Sequence, residues 1–534
     1  MKTATDPLPS HAKSLQKMVQ DLQKKLAEQS TDLKTKNNVI TSLKDQYKNL
    51  LEQFRLSQQK QFGKSSETSD AQLGLFNEAE SIADEEKIES ENLDLEEKQK
   101  TRNKPKRCPL PKDLPRETII HEISDADKIC TDCGHALHKM GEEKSEQLKF
   151  VPATVKVIEN IRLKYSCRCC EAQGIKTQIK IAPAPNAPIP KSMATPSLLS
   201  HVITNKYQYA LPLYRQESLF KQYGIDLNRK TLSSWMLKVI PLLNPVVEQL
   251  HRIQLEQNVI HADETPLKVI HVDKSKCYMW VYCTGTDSPT ENNKSKKDKP
   301  PNIVIYDYKK SRSSQCVNDY LQTYNGYLQV DGYVGYESTK TTLVGCWAHA
   351  RRKFMDVKKS QVKGKTGKSD WAINHIQKLY RIEKEIKDKS ATEKYKIRQD
   401  KSKPLLKEFK NWLDKSVRHV PPTSSIGKTV AYCIKQWPKL KVYTESGELN
   451  IDNNRAERAI KPFVIGRKNW MFANTESGAT ASAVLYSLIE TAKANGLIPF
   501  DYLQFLFEKL PGYSGDIKDL MPWNVVLTEK TPKS

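Results

Sequence analysis

An apolar seven-residue repeat runs through the N-terminal part of the chain. Alternating steps of four and three residues from Leu15 to Phe54 meet an apolar side chain or Tyr at ten of twelve positions, and neither Pro nor Gly interrupts the segment. This period predicts a coiled coil over residues 11–60 that brings chains together. The polar positions Gln29 and Lys36 can set its register. The alternative is a long amphipathic helix that packs on its own domain.

The pattern weakens after this segment and then returns as a helical one. Residues 61–107 join an acidic tract to a basic one with almost no aromatic side chains, which predicts a charged, solvated linker. Residues 190–250 have a helical period, and "YRQESLFKQYGIDLNRKTLSSWMLKVI" places a Gly-containing turn before a second helix from about Asn228. This spacing is typical of a helix-turn-helix DNA-binding segment, although ordinary helical hairpins share it.

A strand pattern begins at residue 258. The short apolar runs are "NVIHADETPLKVI", "CYMWVYC", "NIVIYDY", "GYLQVDGY" and "TLVGCW". They predict three strands, a helix, a strand, a short helix and a strand, which together suit a mixed sheet flanked by helices. A Lys-rich helical insertion follows at about 356–447, and residues 476–534 form a C-terminal helical region. We therefore expect a multidomain α/β protein.

The length and net charge of the chain indicate several domains and a polyanionic partner. A chain of 534 residues is too long for one compact core. Its 86 Lys and Arg against 63 Asp and Glu give a formal net charge of +23, which favours nucleic acid as the partner. The N-terminal sequence has no apolar run typical of a signal peptide, and no stretch has the length of a membrane span. Eleven Cys, mostly scattered, suit a reducing cytoplasm better than a disulfide framework.

Two groups of cysteines have the spacing of a metal site. "CTDC" carries Cys130 and Cys133, and "CRCC" carries Cys167, Cys169 and Cys170. Two CxxC knuckles with β-branched sequence between them predict a zinc ribbon, which we assign to residues 108–185. The expected Zn²⁺ ligands are Cys130, Cys133, Cys167 and Cys170, with Cys169 as the alternative to Cys170. The site would be structural, and four unrelated thiols are the less favoured interpretation.

Three acidic residues have a pattern that suggests catalysis. Asp263 and Asp331 lie where apolar strands are expected to end, and Glu457 follows on a helix. Two Asp and a Glu that meet could hold two Mg²⁺ ions for phosphoryl transfer. Each residue also has a structural alternative: Asp263 could cap a turn, Asp331 could serve the Asp-Gly turn, and Glu457 could pair with Lys461. Glu264 is a rival to Asp263, but neighbouring residues of a strand point to opposite faces.

Basic residues surround the third acid. In "NNRAERAIKPFVIGRK" Glu457 is the single acid among five bases, which suits a metal-binding carboxylate beside a bound polyanion. A second basic pair opens the second helix of the helix-turn-helix segment. The predicted nucleic-acid contacts are Arg229, Lys230, Arg458, Lys461, Arg467 and Lys468.

An ordered series of motifs runs through almost the whole chain. "QFGKSSE" and "LFNEAE" follow the predicted coiled coil, and after the Cys pairs come "LPLYRQE", "HADETP", "VDGYVGY", "GCWAHARRKF" and "NNRAERAIKPFVIGRKNWMFANTESGA". The series resembles the insertion-sequence-66 family of bacterial DDE transposases, large-subunit type. A series of this length in a fixed order is very specific.

The resemblance implies a fold and a set of site residues. The fold is an RNase H-like catalytic core over residues 255–475, interrupted by the helical insertion and preceded by a leucine-zipper-like N-terminus and a zinc-binding domain. The catalytic triad of the family falls on Asp263, Asp331 and Glu457. A Cys-x-x-His element, seen between the second Asp and the Glu in several DDE families, falls on Cys346 and His349. We expect these two residues to be structural or site-supporting.

The resemblance also implies a function, a DNA transposase that depends on Mg²⁺ or Mn²⁺. It would bind terminal inverted repeats, free a 3′-hydroxyl and join it to target DNA, with two ends paired by a homo-oligomer. Small accessory proteins of the same element are further possible partners. The rival interpretations are a non-catalytic zinc-ribbon DNA-binding regulator and an RNase H-like nuclease that cuts without joining.

Overall fold

The N-terminal repeat forms one long helix. The computed structural model describes residues 12–62, 118, 155–165, 179–273, 276–286, 301–360, 367–525 and 527. Helix α1, Ala12–Phe62, covers the repeat, and its apolar stripe is exposed, with Leu26 70% and Leu33 61% accessible. The predicted helix is confirmed, while its pairing with a second chain stays a prediction.

The next described elements are two short strands. Strand β1, Lys164–Tyr165, pairs antiparallel with β2, Lys180–Ile181. They lie on either side of the second Cys group. The five cysteines of the predicted ribbon, Cys130, Cys133, Cys167, Cys169 and Cys170, lie outside the described residues.

Four helices lie between residue 190 and the five-stranded sheet, in a part of the chain that the structure describes fully. They are α2 Pro196–Tyr207, α3 Leu213–Gln222, α4 Arg229–Lys238 and α5 Ile240–Leu255. Gly224 turns the chain between α3 and α4 with φ +75°, a conformation that favours glycine. Asn228 then caps α4 by accepting a hydrogen bond from the backbone N–H of Thr231 at 2.9 Å. The predicted helix, turn and second helix are confirmed, and a role in DNA binding stays a prediction.

A mixed five-stranded sheet forms the centre of the molecule. Its strands are β3 Val259–Leu267, β4 Cys277–Cys283, β5 Val304–Lys309, β6 Tyr327–Gln329 and β7 Thr342–Val344. Their order is β5-β4-β3-β6-β7, with β3, β6 and β7 parallel and the other pairs antiparallel. Helix α6, Ser314–Leu321, and a 3₁₀ turn, Val334–Ser338, complete the predicted order of elements.

Three helices follow at the C-terminal end, and two of them cover one face and the free edge of the sheet. They are α12 Asn454–Trp470, α13 Glu476–Ala494 and α14 Pro499–Lys509. The hydroxyl of Tyr306 donates to the carbonyl of Ala459 on α12. Backbone N–H groups of edge strand β5 donate to the hydroxyls of Thr491 (3.0 Å) and Ser487 (2.8 Å) on α13. Helix α13 therefore satisfies an edge that would otherwise be open to pairing.

The stretch between β7 and α12 is helical and has its own hydrophobic core. Its helices are α7 Trp347–Ser360, α8 Lys368–Glu385, α9 Ala391–Ile397, α10 Lys403–His419 and α11 Ser425–Leu440. Aromatic side chains fill this second core, where Trp347 and Phe409 meet edge to face at 5.4 Å. Within the predicted insertion, about 356–447, the residues that the structure describes are mainly helical, as predicted. Among the helices that the structure describes, none has the length and apolar character needed to cross a membrane.

Candidate functional site

The register of the sheet brings Asp263 and Asp331 side by side. The last pair between β3 and β6 is His261 with Gln329, and each Asp lies two residues beyond it on its own strand. The expectation that Asp263 ends its strand is wrong, because β3 continues to Leu267. The antiparallel partner β4 pairs with β3 beyond the point where β6 ends. Asp263 therefore lies inside a strand, but at the edge of its parallel pairing.

Glu457 joins this place from the first turn of α12. The residue is 4% exposed, and its contacts come from α7. Nη2 of Arg352 lies 3.3 Å from Oε2, and Nδ1 of His349 lies 3.4 Å from Oε1. The helix that holds Glu457 and the helix that follows β7 therefore meet at this carboxylate.

The neighbouring acids act electrostatically on Asp263. Removal of its carboxyl group from water raises the pKa of Asp263 well above its ordinary value, and the charges of Glu264, Asp331 and Glu457 raise it further. Acids gathered in this way repel one another unless a cation joins them. Carboxylate oxygens are the hard ligands that Mg²⁺ prefers, so the donor set fits a divalent cation of this type.

Glu264, the sequence rival of Asp263, belongs to a different contact. Its side chain is 1% exposed and binds the guanidinium of Arg312, whose Nε donates at 2.8 Å. The hydroxyl of Tyr336 donates to its other oxygen. Neighbouring residues of a strand face opposite sides of the sheet. Glu264, which pairs with Trp280, therefore faces away from Asp263, which pairs with Val281. The contact ties β3 to the segment that follows Asp331.

A polar network that the sequence analysis missed connects the three acid-bearing elements. Nε2 of Gln329 donates to the carbonyls of Asn450 (2.5 Å) and Asp452 (2.8 Å). Asn453 receives a hydrogen bond from His261 at 3.1 Å and donates one to the carbonyl of Ala262 at 2.8 Å. The chain entering α12 is thus held to β3 and β6 just before their aspartates. The available signal was a polar residue inside an apolar strand, two positions before each Asp.

One sequence alternative is also realised. Oδ1 of Asp331 accepts the backbone N–H of Tyr333 at 2.8 Å, the expected contact of the Asp-Gly turn. Oδ1 of Asp263 accepts the N–H of Glu264 at 2.8 Å. Each contact uses one oxygen and orients the carboxyl group.

Cys346 and His349 lie against Glu457. Cys346 directly precedes α7, and its Sγ accepts the N–H of Asn453 at 3.2 Å. The ligand atoms of Cys346, His349 and Glu457 all lie within 4.8 Å of one another. Burial raises the pKa of the Cys346 thiol and lowers the pKa of His349.

The predicted nucleic-acid contacts fall into two groups. Arg229 and Lys230 are exposed at the start of α4. On α12, Lys468 is exposed, and Arg458, Lys461 and Arg467 are partly buried. Nη1 of Arg467 donates to the hydroxyl of Thr265, two residues beyond Asp263, at 3.2 Å. Burial lowers the pKa of Lys461 and of Arg467. Arg467 therefore lies next to the strand of Asp263.

Family models match most of the chain. A model described as "Transposase IS66 family" matches residues 191–481, and one described as "zinc-finger binding domain of transposase IS66" matches residues 127–171, which contain the five ribbon cysteines. "Transposase C of IS166 homeodomain" matches residues 49–119, which include the whole of the predicted linker, and "IS66 C-terminal element" matches residues 487–523.

Similar proteins occur in Sinorhizobium fredii (strain NBRC 101917 / NGR234). Uncharacterized protein y4jD is 34% identical over 433 residues, which cover 78% of this chain and 81% of that protein. Uncharacterized protein y4qI is 30% identical over 522 residues, 94% of this chain and 93% of that protein. The similarity therefore includes the sheet, its insertion and the regions on either side.

Proposed function

Because this chain belongs to the IS66 transposase family, we propose that it cuts DNA at the ends of an insertion sequence and joins the freed ends to target DNA. The observation that supports the proposal is the placement of Asp331 beside Asp263 by the register of β3 and β6, together with the raised pKa of Asp263, which burial and then the charges of Glu264, Asp331 and Glu457 cause. A purely DNA-binding regulator has no need of this arrangement.

The proposed core is RNase H-like, over residues 255–475 with its insertion at about 356–447. The mixed sheet with its first strand in the centre supports this assignment. Helices cover both faces of the sheet. Helices α12 and α13 lie on the face that carries Asp263. On the opposite face, Tyr320 of α6 stacks on Tyr282 of β4, with their ring centres 3.6 Å apart. Both aspartates lie where the pairing of the parallel strands β3 and β6 ends, at the carboxyl end of these strands, which is a usual place for an active site in such sheets.

Two Mg²⁺ or Mn²⁺ ions held by the three acids would activate the attacking oxygen and neutralise charge on the leaving oxygen. In the first reaction water attacks a phosphodiester, and the 3′-oxygen of the element end leaves with a proton. In the second reaction this 3′-hydroxyl attacks a target phosphodiester and a target 3′-hydroxyl leaves. Arg458, Lys461, Arg467 and Lys468 would bind the phosphates beside the acids. The network around Asn453 would hold the start of α12 against β3 and β6 during both reactions.

The regions before the sheet would recognise the DNA. The zinc-finger match supports a Zn²⁺ ion at Cys130, Cys133, Cys167 and Cys170, with Cys169 as the alternative to Cys170. Arg229 and Lys230 start a helix whose positive N-terminal end suits phosphate binding. These parts would bind the terminal repeats, while the acids act on the strand.

The first experiment is a strand-transfer assay. The full-length protein is mixed with labelled DNA that carries the terminal repeat of its own element, with target DNA and either Mg²⁺ or EDTA. We expect joined product with Mg²⁺ and none with EDTA, and none when the repeat is scrambled. Cut product without joining would favour the nuclease, and binding to the repeat without either product would favour the regulator. Both of these results would overturn the proposal.

Oligomerisation through α1 gives a second prediction. Leu26→Glu with Leu33→Glu puts two charges in the exposed stripe, so we expect the oligomer to dissociate into monomers, because buried charges oppose helix pairing. Thr31→Glu with Asn38→Glu is the matched control, since these positions lie on the opposite side of the heptad. Light scattering after gel filtration measures the mass. An unchanged mass in the Leu variant would show that another surface joins the chains.

A further inference from the structure

We propose that Cys346, His349 and Glu457 bind one divalent transition-metal ion of the zinc type, at a site distinct from the predicted ribbon. The three side chains come from two elements, the start of α7 and the first turn of α12. The binding of this ion stands on the geometry alone, whereas its effect on catalysis rests on the proposed function.

Two buried atoms face each other at this place. Within the described part of the chain, neither Nδ1 of His349 nor Oε1 of Glu457 has a hydrogen-bond partner, and both are closed to solvent. They lie 3.4 Å apart. A buried carboxylate oxygen without a donor is unfavourable, so such an atom in a native site calls for a partner. A cation between the two atoms would satisfy both.

The distance suits a small tetrahedral ion. Two ligand atoms at about 2.1 Å from a tetrahedral Zn²⁺ ion are about 3.4 Å apart. Sγ of Cys346 belongs to the same group, in which all ligand atoms lie within 4.8 Å of one another. Three protein ligands around such an ion leave a fourth position open.

The donor set favours zinc over magnesium. Sulfur and imidazole nitrogen are ligands of Zn²⁺ and related metals, whereas Mg²⁺ prefers oxygen. The Cys-x-x-His spacing brings both donors to one end of α7, and the N–H of Asn453 donates to Sγ at 3.2 Å, which orients the sulfur from outside the site.

The position of the site gives it a function in placing Glu457. An ion bound to Oε1 would fix this carboxylate to α7 and leave Oε2, which lies 3.3 Å from Nη2 of Arg352, as the oxygen that serves the catalytic ions. The helix that carries the third acid would then be joined to the chain that follows β7. Cys346 and His349 would be positioning residues for Glu457.

Metal counting tests the proposal. Full-length protein is stripped of metal under reducing conditions and titrated with Zn²⁺ against a chromophoric chelator. We expect Cys346→Ser and His349→Gln each to bind about one equivalent fewer than the wild type, because each loses one of three ligands. Excess Mg²⁺ should leave this difference unchanged. Cys316→Ser is the matched control, since Cys316 is also buried but contacts the hydroxyls of Ser311 and Ser313.

The outcomes separate the proposals. Equal zinc content in the wild type and both variants would overturn the site. A loss in the Cys316 variant as large as in the others would also overturn it, because the lost zinc would then not depend on these ligands. Thermal melting checks that the His349→Gln variant, in which a partly exposed side chain is changed, is still folded. If the Cys346 and His349 variants bind one equivalent of zinc fewer than the wild type, and the wild type performs no strand transfer, the metal site is supported and the transposase mechanism is rejected.

Discussion

Replacing Asp263 with Asn should reduce strand transfer by about three orders of magnitude. The change keeps the size of the side chain but removes a charge that a divalent cation needs. Metal ions supply several kcal/mol of transition-state stabilisation in such reactions. About 4 kcal/mol corresponds to about a thousandfold in rate. Binding of the terminal repeat should remain close to the wild-type level, since the predicted DNA contacts lie on other residues. Joined product is measured by gel, and repeat binding by fluorescence anisotropy.

Asp307→Asn is the matched control for this prediction. Asp307 is another acid of the same sheet. It lies in register with Trp280 and Glu264 on the face opposite to Asp263. Burial raises the pKa of Asp307 to about 6, so removal of its charge costs the fold little at neutral pH. We expect strand transfer close to that of the wild type. If Asp263→Asn retained full activity, or if both variants lost it equally, the assignment of Asp263 would be wrong.

The choice between Asp263 and Glu264 shows what local sequence can predict. Alternation along a strand indicates that the two acids face opposite sides, and the sequence analysis used that rule. Which side carries the site depends on where α12 packs, almost two hundred residues later. The length of β3 was misjudged for a similar reason, because β4 pairs with it beyond the end of β6. Both answers come from tertiary contacts that a local pattern does not contain.

The order of elements was predictable because each depends on local periodicity. The strands, the intervening helix and the helical insertion all have the period that their burial requires. The network around Asn453 was not predictable, since its partners His261 and Gln329 lie far away in sequence. The burial of Arg398 was not predictable either. In sequence it is one of many bases in a Lys-rich insertion, but in the structure its side chain is buried.

Arg398 is expected to contribute strongly to the stability of the insertion. It is 2% exposed and uses all five of its N–H donors. Two hydrogen bonds go to Glu383 at 2.9 and 2.6 Å. Three go to backbone carbonyls at 3.0, 2.6 and 2.9 Å, those of Tyr443, Ser446 and Leu449. These carbonyls belong to the segment that leads into α12, so Arg398 anchors the approach to Glu457.

Arg398→Ala should therefore destabilise the insertion by about 3–5 kcal/mol, because it leaves a mostly buried carboxylate and three carbonyls without a partner. Strand transfer should fall with stability, since the segment before Glu457 loses its anchor. Lys401→Ala is the control: Lys401 lies three residues away and pairs with Glu385 at 3.3 Å on the surface, where such pairs contribute at most about 1 kcal/mol. Urea unfolding followed by tryptophan fluorescence reports on this core, which contains Trp347. Equal midpoints for the two variants would mean that Arg398 does not hold the segment, and Glu457 would then depend on α7 and Asn453 alone.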